Sequence, residues 1–129
     1  MFRRMGDAVT TSQGALYNFD MAAVYRRFLR TIKDTQLPTG DVAPAVPDKG
    51  SIKSVLKSGL GAYGNDGRAD ISWTCAYPLI TRRLLKYYGD DTPAREHWDS
   101  LVLYMDGLYA QAKNQSCPGN LPNFSTWGE

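Results

Sequence analysis

Apolar residues return at helical spacing in several stretches of this chain. Met21, Val24, Phe28, Ile32 and Thr35 form one stripe, which Tyr25 and Leu29 widen, while Arg26, Arg27, Arg30 and Lys33 fall mostly off it. This predicts a helix from Asp20, whose carboxylate suits an N-cap, to about Gln36, ahead of Pro38 and Gly40. A shorter, weaker helical segment precedes it, from about Asp7 to Tyr17, and Asn18-Phe19-Asp20 interrupts the two. A third stripe runs through Trp73, Ala76, Tyr77, Ile80, Leu84, Tyr87 and Tyr88. Pro78 sits inside it, so either the first turn is separate or the helix kinks, and Gly89 stops it. Thr92 and Pro93 read as the N-cap and first position of a fourth helix. Its stripe is Trp98, Leu101, Val102, Met105, Leu108, Tyr109 and Ala112, and Pro118, Gly119 and Pro122 close it.

Between these pairs, Thr39 to Ala69 shows no period and holds Pro44, Pro47 and six of the twelve glycines. A connection of that length is usually functional or disordered. One helical turn is expected at Ser51 to Lys57, and the block Gly59 to Arg68 is turn-rich. No segment alternates with period two for long enough to make a strand. The expected class is all-α, built of antiparallel helical hairpins with one long irregular loop. The 129 residues read as a single partial domain, 1–129.

Composition narrows the function. A formal charge of +2, with basic and acidic residues interspersed, argues against nucleic acid. No apolar run approaches a membrane span, and Met1 to Asp7 lacks the apolar stretch of an export signal, so a soluble chain is expected. Cys75 and Cys117 lack metal-ligand spacing and are expected as two thiols rather than a disulfide.

Candidate chemistry is sparse. The lone histidine, His97, has no cysteine or acid at ligand spacing and reads as structural or surface-exposed. The glycines of Gly59 to Gly67 lack the context of a phosphate loop, and no nucleophile elbow is present. No metal or other cofactor is called for. Carboxylates remain: Asp7, Asp41, Asp48, Asp66, Asp70 and Glu129 lie at element ends or in the long loop. Acids beside aromatics, such as Asp70 with Trp73 and Glu129 with Trp127, suit a sugar site, because carboxylates bind hydroxyls and rings stack on the apolar faces of sugars. Taken alone, Asp20 and Asp70 are more simply helix caps, and Trp73 is more simply core.

Four blocks carry a wider resemblance. Met5-Gly6-Asp7-Ala8 resembles the end of a motif reading roughly Asp-Glu-Arg-x-Gly-Trp-x-Gly-Asp-Ala. ALYNFDMAAVYRRFLRTIKDTQ, Ala15 to Gln36, is similar to the helix pair that follows it. GDVAPAVP, Gly40 to Pro47, resembles a loop written Gly-x-Val-Pro-Asp-Val-Val-Pro. ADISWTCAYPLITRRLLKYYGD, Ala69 to Asp90, resembles a stretch reading Ala-Asp-Pro-Ser-Trp-Gly-x-Ala-Tyr-Pro that ends in Tyr-Tyr-Gly-Asp. Together they are similar to the catalytic domain of bacterial and fungal α-L-rhamnosidases, and Trp127-Gly128-Glu129 is similar to its Gly-Asp/Glu-Trp stretch.

The resemblance implies part of an (α/α)6 toroid, the six-hairpin glycosidase fold, and a rhamnose-containing carbohydrate as ligand. It implies inverting hydrolysis by one carboxylic acid and one carboxylate base, about 6.5–9.5 Å apart. Asp7 matches the acid that binds rhamnose hydroxyls, and Trp73 an aromatic of the sugar pocket; Trp127 and Glu129 are placed near the same cleft. The family's general acid falls seven residues before Asp7, ahead of Met1, and Arg3 and Arg4 replace the motif's Gly and Trp. Its general base belongs to a later helix. The expectation is a segment of a glycoside hydrolase that is inactive alone; the alternative is a non-catalytic helical sugar-binding or interaction module. Stripes that lack neighbouring helices should leave apolar surface bare, so self-association is expected.

Overall fold

The computed structural model of the chain describes residues 3–46 and 71–114. Within them, helices dominate: α1 (Met5–Asn18), α2 (Ala22–Asp34), α3 (Ile71–Thr74), α4 (Ala76–Tyr88), α5 (Thr92–Glu96) and α6 (Trp98–Asn114). Two strands of two residues each, β1 (Arg3–Arg4) and β2 (Ala45–Val46), pair antiparallel, with Arg3 opposite Val46 and Arg4 opposite Ala45. No strand was expected. This ladder is too short for alternation to signal it, and it forms because the loop after α2 returns to the start of α1.

The hairpin core forms where α4 packs against both α1 and α2. Leu16 of α1, Phe28, Leu29 and Ile32 of α2, and Tyr77, Ile80 and Leu84 of α4 are all buried there. Tyr25, Phe28, Leu29 and Ile32 form the buried face of α2, whereas Val24, placed in the expected stripe, is 39% exposed. The off-stripe arginines pair instead with the far end of α4 and with α5. Arg26 Nε donates to Asp90 at 2.7 Å, and Arg30 grips Glu96 through two nitrogens at 2.7 and 3.0 Å. These guanidinium contacts hold the Asp90 and Glu96 carboxyls below their usual range. Arg83 of α4 spans to α1, donating to the Val9 carbonyl at 2.7 Å and to the Ser12 hydroxyl.

Helix ends follow local chemistry, with small shifts. α2 begins at Ala22 with Met21 at the cap, one residue later than expected, yet the Asp20 carboxylate still accepts from the Ala22 N–H at 3.3 Å. The Tyr88 hydroxyl lies 3.0 and 2.7 Å from the Leu16 and Phe19 carbonyls and accepts from the Met21 N–H, which closes the α1–α2 turn. Pro78 marks a separate first turn rather than a kink. α3 ends at Thr74, Cys75 turns, and Pro78 falls in the first turn of α4, where its missing N–H costs nothing. Gly89 ends α4 at φ 64°, a left-handed conformation that its missing Cβ permits.

The expected fourth helix is two helices. Asp91, not Thr92, caps α5, and the chain breaks at His97 before α6 begins. Much of its apolar stripe is bare. Trp98, Val102, Met105 and Tyr109 are 64%, 41%, 54% and 62% exposed. The face turned inward carries His97, Ser100 and Tyr104, with Leu101 and Leu108 packed partly against the core. Polar residues hold that face because they find partners. Tyr104 shares a hydrogen bond of 2.9 Å with Thr74, and burial pushes its hydroxyl pKa up to about 12.

A second set of partners forms a relay. Gln36 spends its amide protons on the carbonyls of Gly40 and Ser100, at 3.1 and 2.8 Å. Its oxygen therefore accepts, and the Ser100 hydroxyl donates to it at 2.5 Å. Tyr77 in turn donates to Ser100 Oγ at 2.9 Å. With that hydrogen committed, the Tyr77 oxygen accepts from His97 Nδ1, also 2.9 Å away. His97 thus carries its proton on Nδ1. It is buried, as a structural histidine.

Candidate functional site

The start of α1 is positioned from outside the helix. Arg4 at its cap makes no side-chain cap hydrogen bond, but the Met5 N–H donates to the Pro44 carbonyl at 2.9 Å, beside the β1–β2 ladder. The loop that supplies Pro44 is pinned at several points. Gln36 holds Gly40, Thr35 Oγ1 accepts from the Ala43 N–H at 3.2 Å, and Val42, Ala43 and Val46 are buried. Gly40 has φ 93°, and a Cβ there would lie 2.2 Å from the Leu103 carbonyl oxygen. The backbone of the loop therefore rests directly on α6. The matching glycine of α6, Gly107, would place a Cβ 2.4 Å from the Thr39 carbonyl oxygen.

Asp7 stands in the first turn of α1, exposed, where a negative charge complements the helix dipole. Its backbone carbonyl accepts from Thr10 and Thr11 at 3.0 and 2.7 Å. Among the described residues its carboxylate makes no ion pair or side-chain hydrogen bond, which leaves its oxygens available to hydroxyl groups. Trp73 lies on α3, half-buried, with its indole against Gly6. A Cβ on Gly6 would stand 3.2 Å from Cδ2 and Cε2 of that ring and 3.3 Å from Nε1. The glycine before Asp7 is thus what lets the ring approach the α1 backbone.

Of the four residues singled out from sequence, two are among the described residues: Asp7 in the first turn of α1, and Trp73, whose ring lies against Gly6, the residue before Asp7. Trp127 and Glu129 lie outside the described residues, as do Asp48, Asp66, Asp70 and Cys117. Gly6 was passed over as part of a motif. The signal that could have found its packing role is a glycine inside a helix next to a singled-out acid. Among the described residues no cluster of His, Cys, Asp or Glu could hold a metal, and no helix is long and apolar enough to cross a membrane.

The architecture defines a class first: helical hairpins of the six-hairpin glycosidase kind. Residues 4–128 match the family model of the bacterial alpha-L-rhamnosidase 6 hairpin glycosidase domain, and the chain belongs to that family. It is 29% identical over 98 residues to an alpha-L-rhamnosidase of Formosa agariphila, a match covering 75% of this chain and 10% of that protein. The solved alpha-L-rhamnosidase of Dictyoglumus thermophilum superposes with a TM-score of 0.68 at 30% identity, covering 85% of this chain and 11% of that one. The chain thus spans about a tenth of the length of the relatives it matches.

Proposed function

We propose that this chain forms part of the sugar-binding wall of a rhamnoside-hydrolysing domain. In this reading Asp7 accepts hydrogen bonds from rhamnose hydroxyls and Trp73 presents its ring to the apolar face of the sugar. Hydrolysis is inverting, with an acid protonating the leaving oxygen and a base activating water from the opposite face. The resemblance assigns the acid and the base to positions other than Asp7 and Trp73, so the contribution of these two in this reading is to sugar binding.

The observation that supports the reading best is the Gly6 contact, because it brings the indole of Trp73 to the turn that carries Asp7. An acid with free lone pairs beside an aromatic ring is the pairing a monosaccharide site needs. The test is titration of L-rhamnose into isotope-labelled chain, followed by NMR. Shifts should concentrate at Gly6, Asp7 and the Trp73 indole and vanish in Asp7→Asn and Trp73→Ala. Binding that survives both changes refutes the assignment. The exposed face of α6 favours a second reading, an interaction module, and absence of any rhamnose binding would leave that one standing.

A further inference from the structure

Gln36, just past the end of α2, is half-buried and ties two distant segments together. Its amide hydrogens go to the Gly40 and Ser100 carbonyls at 3.1 and 2.8 Å, and its oxygen accepts from the Ser100 hydroxyl at 2.5 Å. Among side chains only a primary amide offers two N–H donors and an oxygen acceptor together. A glutamate has no hydrogen for the two carbonyls, and a lysine has no acceptor for the hydroxyl.

The segment that Gln36 clips to α6 is closed on itself. The Leu37 N–H donates to the Asp41 carbonyl and the Gly40 N–H to the Leu37 carbonyl, both at 2.9 Å. Residues 37–41 therefore move as one piece, which rests on α6 where Gly40 meets the Leu103 carbonyl. Beyond it the chain leads straight to the head of α1. The Ala43 N–H donates to Thr35 Oγ1 at 3.2 Å, and the Pro44 carbonyl takes the Met5 N–H at 2.9 Å. Met5 is fully buried, and Gly6 with its Trp73 contact and then Asp7 follow directly. The head of α1 has little else to fix it by hydrogen bonding. Arg4 makes no side-chain cap bond, and the backbone bond into Met5 comes from Pro44, next to the strand that pairs with Arg3 and Arg4.

We propose that Gln36 is a positioning residue for the sugar site: by fixing the loop 37–46 to Ser100 of α6, it sets where the first turn of α1, and with it Asp7, stands. The inference rests on the reading of Asp7 and Trp73 as sugar-binding groups and goes beyond it, because Gln36 hydrogen-bonds to neither.

The test compares Gln36→Glu with Tyr77→Phe in the full 129-residue chain. Both disturb buried hydrogen bonds, but Tyr77→Phe leaves the bonds of Gln36 in place. Two quantities are read: amide hydrogen exchange at Met5 relative to Leu84 in the core of α4, and affinity for L-rhamnose followed at the Trp73 indole resonance. Gln36→Glu should speed exchange at Met5 about tenfold more than at Leu84 and weaken the affinity about tenfold, the factor that one ordinary hydrogen bond sets. Tyr77→Phe should change neither by more than roughly twofold, because a domain that has lost part of its stability is still almost wholly folded. If Gln36→Glu does not fold, Thr35→Val removes the acceptor for Ala43 at nearly constant volume and should move both quantities the same way by a smaller factor. Exchange at Met5 that follows Leu84 in both loop variants overturns the positioning role, and so does an affinity that falls as far in Tyr77→Phe. A wild-type chain that binds no L-rhamnose sinks the sugar reading and this role with it, and that failure shows without any variant.

Discussion

Replacing Tyr77 by Phe removes one oxygen and changes almost no volume, which makes it a clean probe of the buried relay. The hydroxyl is fully buried and serves two neighbours at once, accepting from His97 Nδ1 and donating to Ser100 Oγ. Without it, the Nδ1–H of His97 has no acceptor within the core, and Ser100 keeps only its bond to Gln36. An orphaned buried donor costs about 1–3 kcal/mol, whereas a typical intact hydrogen bond contributes about 1 kcal/mol. For a chain of 129 residues a loss of about 2 kcal/mol lowers Tm by roughly 6–10 °C. It is also a large share of the ~5–15 kcal/mol that holds a domain folded. Thermal unfolding followed by circular dichroism at pH 7.5 measures it. Tyr104→Phe is the control, because its hydroxyl bonds a single partner, the Thr74 side chain. The reasoning is refuted if Tyr77→Phe costs no more than Tyr104→Phe, since the second orphaned partner is what distinguishes them.

Three further outcomes are expected. Burial holds His97 below its usual pKa of 6.5, so the folded state resists a proton that the unfolded chain accepts. Stability is therefore unaffected above about pH 7.5, falls as pH drops through the unfolded value, and levels off below the folded one. Urea titrations at several pH values should show that slope, and His97→Asn, which keeps a donor near the Nδ1 position, should flatten it. Gly40→Ala combines a positive φ with a Cβ 2.2 Å from the Leu103 oxygen, so it should cost about 3 kcal/mol or more, read as lost helical signal or failure to fold. Gly6→Ala should leave stability within about 1 kcal/mol, because the gain in helix propensity offsets the tight contact. It should nonetheless shift the Trp73 indole resonance and weaken rhamnose binding, and an unmoved indole would show that the glycine does not set the ring.

Much of this was legible in the chain because it is local. Helical spacing marks α1, α2 and α4, Gly89 marks a helix end, and Pro78 marks a boundary, all through interactions within a few residues. Asp7 and Trp73 were singled out by motif, and their residue types suit the chemistry of a sugar site. The stripe on α6 was legible as apolar, and bare apolar surface was expected of stripes without neighbouring helices, but the polar face by which α6 meets the core was not legible. Periodicity reports that a face is greasy, and only packing decides which of two faces meets the core. His97 was legible as structural from its isolation, but its partners come from Gln36, Tyr77 and Ser100, which lie on three separate segments.

By itself, then, the sequence determined the helical class, the family and most helix ends, since backbone propensity, capping and motif act at short range. The tertiary structure decided the rest. It joined the loop after α2 to the head of α1 through a two-residue ladder, and it laid Gly40 on the backbone of α6. It set the ring of Trp73 against Gly6, and it turned Ser100 and Tyr104 inward while Trp98 and Met105 faced out. Each of these pairs residues far apart in the chain, and which distant groups meet depends on the packing of whole helices, where a buried polar group is tolerated only once its partner has arrived.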